Sequence, residues 1–361
     1  MYQVIDRVYR LLRPIIFGLT DPEWAHELAC EQIRRLERCL LVGLIEHLGG
    51  YAEYREELGQ TIGGVYFPNP VGLAAGFDKT GELAHLLHFF GFGSIEVGTF
   101  TLRPRDGNPR PRLERLLKMH ALINRMGWNN PGAERGRSNL FGKVRTVPIG
   151  VNIGPMPDLE DADLAIKSVV SAVELLGPLA DYLAINPSCS NVRIVDFQDP
   201  FLLVDLVNEL RARLPWIADK LTLVKLKPDT TADQLAGIYP VCVCRRIGLI
   251  LGNTFGMSRG ALSGPRLYRG IPGQIESLPN RISHAYQATG GLVPIVACGG
   301  IETGAQAYEV IQRGASLVQG LTGWVYGGPF WPREVCEELA RLTRREGLSN
   351  ISALRGTYPG R

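Results

Sequence analysis

The sequence predicts an α/β fold: a (β/α)8 TIM-type barrel with an N-terminal α-helical extension. Three observations predict it. Eight short apolar runs recur between residues 71 and 320, each ending in or near Gly, Asn, Thr or Lys. Stretches with helical spacing separate most of them, the alternation of a parallel α/β sheet. The first 50 residues follow another pattern, apolar positions at helical spacing beside arginines.

Taken in order, Tyr2, Val4, Ile5, Val8, Leu11, Leu12, Ile15 and Ile16 form one apolar stripe, with Arg7, Arg10 and Arg13 among them. Thr20-Asp21-Pro22-Glu23 is a helix start, a capping side chain followed by proline in the first turn. Leu28, Ile33, Leu36, Leu40 and Leu41 continue a stripe beside Arg34, Arg35 and Arg38, and Gly49-Gly50 closes the segment. A basic two-helix start of this kind fits a surface lying in a membrane interface. It fits equally a helical hairpin packed on its own barrel.

From Gly59 the period changes. Thr61 to Phe67 reads as a hairpin around Gly63-Gly64. The predicted barrel strands are Val71–Ala75, Ile95–Thr99, Val147–Asn152, Tyr182–Asn186, Leu221–Lys225, Leu249–Asn253, Ile295–Gly299 and Ser316–Gly320. Ala162–Leu175, Pro200–Leu214 and Ala305–Arg313 are predicted helices. The long connection from Thr99 to Val147 is expected to cover the mouth or carry a lid. The expected organisation is a helical segment over 1–50, a barrel over 51–345 and a C-terminal tail over 346–361.

Composition narrows the function classes. The chain has 361 residues, 21% charged and 45% hydrophobic, enough for one large core. A net charge of +3 is too small to argue for nucleic acid. The seven cysteines are an odd number, and Cys242 and Cys244 form only C-x-C, so no zinc or iron–sulfur site is expected. Reduced thiols in a cytosolic compartment are expected. No 18-residue apolar run exists to span a membrane, and the N-terminus lacks a signal-peptide h-region.

The stretch Ala184-Ile185-Asn186-Pro187-Ser188-Cys189-Ser190-Asn191 places two amides, a hydroxyl and a thiol just past a strand end. In a parallel barrel that end carries the chemistry. Polar residues gather at other strand ends too: Lys79, Thr99, Asn152, Lys225, Asn253 and Thr254. Buried amides and ammoniums cost several kcal/mol without partners, which a large polar ligand would supply (roughly 2–7 for an amide). Cys298-Gly299-Gly300-Ile301 and Gly320-Leu321-Thr322-Gly323 follow the last two strands, where barrels often bind phosphate through backbone N–H groups.

These residues carry a family resemblance. The chain resembles the dihydroorotate dehydrogenases, specifically the class 2, membrane-associated, quinone-using branch, from about Tyr2 to Pro329. The motifs include Asp21-Pro22-Glu23-x-Ala25-His26, Asn69-Pro70-x-Gly72-Leu73-Ala74-Ala75-Gly76-x-Asp78-Lys79 and Gly91-Phe92-Gly93-Ser94-Ile95-Glu96-x-Gly98-Thr99. Gly107-Asn108-Pro109-Arg110-Pro111-Arg112, Asn124-Arg125-Met126-Gly127 and Gly150-Val151-Asn152-Ile153-Gly154 follow. Val224-Lys225-x-x-Pro228-Asp229, Asn253-Thr254, Leu262-Ser263-Gly264 and Gly299-Gly300-Ile301 complete the set.

The resemblance implies FMN and the oxidation of (S)-dihydroorotate to orotate in pyrimidine biosynthesis, with electrons passed to a quinone. A base takes a proton from one ring carbon while hydride leaves its neighbour for the flavin. By position, Cys189 is the base. Lys79, Asn124, Met126, Gly127, Asn186, Asn191, Asn253 and Thr254 surround the substrate. Ala75, Gly76, Thr99, Asn152, Asn186, Lys225, Gly264, Gly299, Gly300, Leu321 and Thr322 hold the cofactor, with Lys225 placed to stabilise a reduced, anionic flavin. His26 and Arg115 are the polar groups of a quinone tunnel. The implied location is peripheral, on the cytoplasmic face of the cell inner membrane.

The chain departs from the class 2 pattern in places. Cys189 stands where that branch has Ser, as in the soluble class 1 enzymes. Ser190-Asn191-Val192-Arg193 replaces a longer loop with two prolines and a glycine. Gly154-Pro155-Met156-Pro157 replaces Gly-Lys-Asn-Lys, Leu321 replaces a Tyr, and Phe17 falls where some members have Gln. Two alternatives stay open on sequence: a paralogue oxidising a related cyclic amide, and a non-catalytic flavin- or membrane-binding protein.

Overall fold

The structure, a computed structural model, describes residues 2–38, 55–187 and 195–359. Two helices come first, α1 (Tyr2–Leu19) and α2 (Pro22–Arg38). The Asp21 carboxylate caps α2 by accepting from the N–H groups of Glu23 at 3.0 Å and Trp24 at 2.8 Å, and Pro22 occupies the first helical position. Leu40, Leu41 and Gly49-Gly50 lie outside the described residues.

Strands β1 (Gln60–Ile62) and β2 (Val65–Phe67) form the expected hairpin, turning at Gly63 and Gly64, both at positive φ. Ile62 and Phe67 pack with Tyr182, Leu221, Leu223 and Leu317. The barrel strands are β3 (Val71–Leu73), β4 (Ser94–Phe100), β7 (Ile149–Ile153), β8 (Tyr182–Ile185), β9 (Thr222–Leu226), β10 (Gly248–Leu251), β13 (Ile295–Cys298) and β14 (Leu317–Gly320). They pair in parallel in chain order, and β14 returns to β3 through Val318↔Val71, closing the ring. All eight predicted runs are barrel strands. Most boundaries move by one or two residues, and Pro148 sets one of them by interrupting the ladder before Ile149.

Helices α4 (Ala162–Leu176), α5 (Pro200–Arg213), α6 (Ala232–Arg245), α8 (Leu278–Ala288), α9 (Gly304–Gln312) and α11 (Trp331–Arg345) accompany the strands. Between β4 and β7 lie β5 (Leu113–Leu116), β6 (Ala121–Asn124) and α3 (Ala133–Leu140). Between β10 and β13 lie β11 (Phe255–Met257), β12 (Gly260–Ser263) and α7 (Pro265–Arg269). The two hairpins join through β6 and β12 into one antiparallel four-stranded sheet. Both leave the C-terminal ends of barrel strands, so the sheet belongs to the mouth.

The N-terminal helices are tied to the barrel by polar contacts. The Tyr9 hydroxyl donates to the Val325 carbonyl at 2.6 Å, in α10 (Thr322–Gly327), and Arg10 Nε donates to the Gly327 carbonyl at 2.9 Å. Arg115 of β5 caps the end of α1, donating to the Thr20 carbonyl at 2.7 Å. Glu23 of α2 forms a buried pair with Arg112, whose Nε and Nη2 reach its carboxylate at 3.0 and 2.9 Å. Arg112 also donates to the Asp106 and Asn108 carbonyls, so the pair fixes α2 to the loop before β5. Among the described residues nothing covers the outer, apolar face of α1: Leu11 is 76% and Leu19 82% exposed, with Val4, Val8, Leu12 and Ile15 beside them.

Past α11, Ile351 and Leu354 are buried, and Arg355 donates to the Gly314 and Val293 carbonyls at 2.9 and 2.7 Å. Residues 348–355 therefore pack against the barrel.

Candidate active site

One cavity of about 900 Å³ runs from the barrel mouth to the space between α1 and α2. It joins two regions of different chemistry. The mouth is polar. Lys79, Asn124, Met126, Gly127, Asn186, Asn253 and Thr254 line it, together with Ala75, Gly76, Thr99, Lys225, Gly299, Leu321 and Thr322. The far end lies among Ile16, Phe17, Leu28, Ala29 and Ile33 of the helices, with His26 and Arg115 as polar points. Three expected site residues are off the wall. Asn152 is fully buried behind Thr99, and Gly264 and Gly300 pack on one another behind Ser263 and Gly299. Cys189, Asn191 and the rest of 188–194 lie outside the described residues, and β8 and Asn186 lead into that segment.

The mouth's amides are joined in a chain. Thr99 Oγ1 donates to Asn152 Oδ1 at 2.6 Å. Asn186 Nδ2 donates to Thr99 Oγ1 at 3.2 Å, and Asn253 Nδ2 to Asn186 Oδ1 at 3.2 Å. Thr254 N donates to Asn253 Oδ1 at 2.9 Å. Each of these side chains comes from a different strand end, so strand order builds the ring.

Two lysines give the mouth its charge. Lys225 Nζ lies 3.3 Å from Glu96 Oε1, both side chains deeply buried. Burial disfavours its ammonium, but the Glu96 carboxylate against it outweighs this and holds its pKa above the usual lysine value. Lys79 is pushed down to about 8, first by burial and then by the Arg112 guanidinium, with Glu23 and Cys30 opposing. Burial and the Lys79 ammonium push His26 down to about 4, so its ring is neutral at pH 7. His26 Nε2 donates to the Phe77 carbonyl at 2.9 Å, which leaves Nδ1 as an acceptor. Arg115 lies over the Phe17 ring at 4.4 Å.

The loops after β13 and β14 come together. A Cβ at Gly299 would meet nothing within 4 Å, whereas one at Gly300 would meet the Tyr268 backbone N at 2.6 Å. Gly299 therefore leaves open room on the cavity side. The Thr322 hydroxyl donates to Ser263 Oγ at 2.9 Å, drawing β12 to the start of α10.

Sequence reasoning missed Glu96 and Gln319, which stand mid-strand inside the barrel. A charge within Ser94-Ile95-Glu96-Val97 was the available signal. It also missed Glu23 and Arg112, which meet only in three dimensions.

A family model for dihydroorotate dehydrogenase matches residues 57–343. Curated relatives named dihydroorotate dehydrogenase (quinone) match almost end to end. Those from Rhodospirillum rubrum and Nocardia farcinica are 39% and 37% identical, over 95% and 96% of this chain and 93% and 95% of their own. The crystal structure of the Eimeria tenella enzyme in complex with ferulenol superposes with a TM-score of 0.81 at 31% identity, covering 96% of this chain and 99% of that one. The barrel, the polar mouth and the N-terminal helices thus sit within one known lineage, and the chain belongs to the dihydroorotate dehydrogenase family, in its class 2, quinone-dependent branch.

Proposed function

We propose that this chain oxidises dihydroorotate to orotate for pyrimidine biosynthesis, on an FMN held in the barrel mouth, and delivers the electrons to a quinone entering between α1 and α2. The single observation that carries this is the continuous cavity, polar at the mouth and apolar between the helices. A site for one water-soluble substrate has no need of the second region.

The residues present fit a flavin. Lys225 offers three ammonium hydrogens, and Glu96 is its one acceptor among the described residues, so donors remain for a ligand. Gly299 leaves room that a side chain would fill. Thr99, Asn186 and Lys225 would face the ring system. Gly299 and Thr322 would hold its phosphate, with Gly264 and Gly300 packed behind them. When bound, FMN supplies the two-electron chemistry.

The chain's own groups bind, orient and move a proton. Lys79 offsets the substrate carboxylate. Asn186 and Asn253 each keep a second amide hydrogen for a ring carbonyl, and Asn124, Asn191 and Thr254 extend that ring of polar groups. Met126 and Gly127 help close the site from the β6 side. Cys189 takes the proton from carbon. A thiol's reference pKa of about 8.5 makes it an easier base than the alcohol of most class 2 relatives. His26 and Arg115 orient the quinone head. The apolar face of α1 lies in a membrane interface, the peripheral attachment expected of an enzyme that draws quinone from lipid. Among the described residues no helix is long and apolar enough to cross a membrane.

The purified protein is expected to be yellow with non-covalent FMN, and dihydroorotate is expected to bleach it without oxygen. A protein that stays colourless after flavin supplementation contradicts this function. A yellow protein bleached by another cyclic amide and not by dihydroorotate assigns the related-amide activity.

Lys79 sets a pH limit. In the free enzyme its ammonium is lost as pH rises through about 8. The KM for dihydroorotate should climb about tenfold per pH unit above that point. The rate at saturating substrate should not fall with it, because a bound carboxylate keeps the ammonium charged. A KM that stays flat well above pH 8 would remove Lys79 from substrate binding.

A further inference from the structure

Inside the barrel, behind the cavity wall, lies a carboxylate that the roles above do not use. Glu96 of β4 is fully buried. Asn152 Nδ2 of β7 and Lys225 Nζ of β9 donate to its Oε1 at 2.9 and 3.3 Å. Gln319 Nε2 of β14 donates to Oε2 at 2.8 Å. Three other strands therefore converge on one acceptor.

A carboxylate with only donors around it has no hydrogen to give. It fixes the Asn152 amide with its NH2 inward and its oxygen toward Thr99. The single Thr99 hydrogen must then go to Asn152, so Thr99 can only accept from Asn186. Asn186 in turn can only accept from Asn253. One choice at the buried end thus sets the direction of each bond in the chain. It leaves Asn186 and Asn253 presenting N–H groups to the cavity.

The same carboxylate is the counterion of Lys225. The other titratable groups packed against the pair are Cys298 and Tyr182. Burial raises the thiol of Cys298 and holds the Tyr182 phenol well above its usual range, so both are neutral near pH 7. Glu96 remains as the negative charge.

Resting on the function above, we propose that Glu96 is a positioning residue with two tasks: it keeps Lys225 cationic toward the flavin, and it aims the Asn186 and Asn253 amides as donors, selecting ligands whose facing edge carries carbonyl acceptors.

The test uses FMN-loaded wild type, Glu96→Gln and Asn152→Leu. The flavin reduction potential is followed against reference dyes from pH 6 to 9, and orotate binding is read from the flavin spectrum. Wild type should show no break from Lys225 across that range. Glu96→Gln should show one, and below it the flavin should reduce more readily than in wild type, since one positive charge is then uncompensated. Its orotate affinity should fall about tenfold, the upper end of what one neutral hydrogen bond contributes. Asn152→Leu cuts the amide chain but keeps the ion pair. It should lose a similar factor in orotate affinity and keep the wild-type pH profile.

A Glu96→Gln protein with the wild-type pH profile would remove the charge role. So would a Lys225 break in wild type, a result available even if the variant does not fold. Orotate affinity within twofold of wild type in Asn152→Leu would remove the aiming role. A wild type that takes up no FMN, or is not bleached by dihydroorotate, contradicts the underlying function and is recognised before either variant is made.

Discussion

Replacing Cys189 with alanine is expected to slow flavin reduction by dihydroorotate by roughly 10² to 10⁴, the usual worth of a positioned acid or base. Orotate binding should stay nearly intact, because recognition is proposed to rest on Lys79 and the amide ring. The motivation is position: Cys189 follows three residues after Asn186, whose amide lines the mouth. The resemblance also aligns it with the base of the class 1 enzymes, which is why that role is proposed for it. Cys189→Ser should fall between the two and recover as pH rises, since an alcohol needs more help to accept a proton. The wild-type rate at saturating substrate should climb with pH and level off once the thiolate is available. Stopped-flow reduction of the three proteins reads all of this. An alanine variant as fast as wild type would leave the chain without an identified base.

The second large effect concerns the acceptor side. Changing Leu11, Ile15 and Leu19 to glutamate should weaken binding to lipid vesicles on the order of 10²-fold or more, since each apolar side chain is worth about 1.5 kcal/mol or more when buried. These three lie four residues apart on the uncovered face of α1. Activity with a long-chain quinone held in vesicles should fall with the binding. Activity with a short, water-soluble quinone should persist, because the polar contacts of Tyr9 and Arg10 to the barrel are untouched. Point changes test this better than removal of residues 1–50. Removal would also strand Arg112 without Glu23 beside Lys79, and breaking a buried pair from one side costs about 3–5 kcal/mol. Equal loss with both quinones would make α1 a structural cap.

Much of this was legible in the sequence because barrel strands write themselves locally. Tyr182 to Ile185 is apolar at every position, being buried on both faces, and a turn cluster follows at once. The helix start at Asp21-Pro22 is likewise a local matter of capping. Polar side chains at strand ends were conspicuous for the same reason, which is why Lys79, Asn186, Lys225 and Asn253 could be named and are found on one cavity.

What was not legible depends on distance in the chain. The β6–β12 pairing joins Ile123 to Leu262, two short strands whose register no local pattern specifies. Arg112 sits in a run of prolines and arginines that reads as an exposed loop, yet it is buried by Glu23, 89 residues earlier. Glu96 and Gln319 were passed over because mid-strand polar residues pointing into a barrel become informative only once their partners are known. A buried charge inside an apolar strand implies a counterion, and the sequence alone does not say which strand supplies it.

The most direct measurement is an anaerobic double-mixing experiment on the intact, FMN-loaded protein. Dihydroorotate is mixed first and the flavin absorbance followed. A quinone is mixed second. The expected result is bleaching by dihydroorotate with release of orotate, then recovery of the yellow colour on addition of quinone. A flavin that dihydroorotate leaves oxidised, or a reduced flavin that quinone cannot restore, would contradict the function proposed for this cavity.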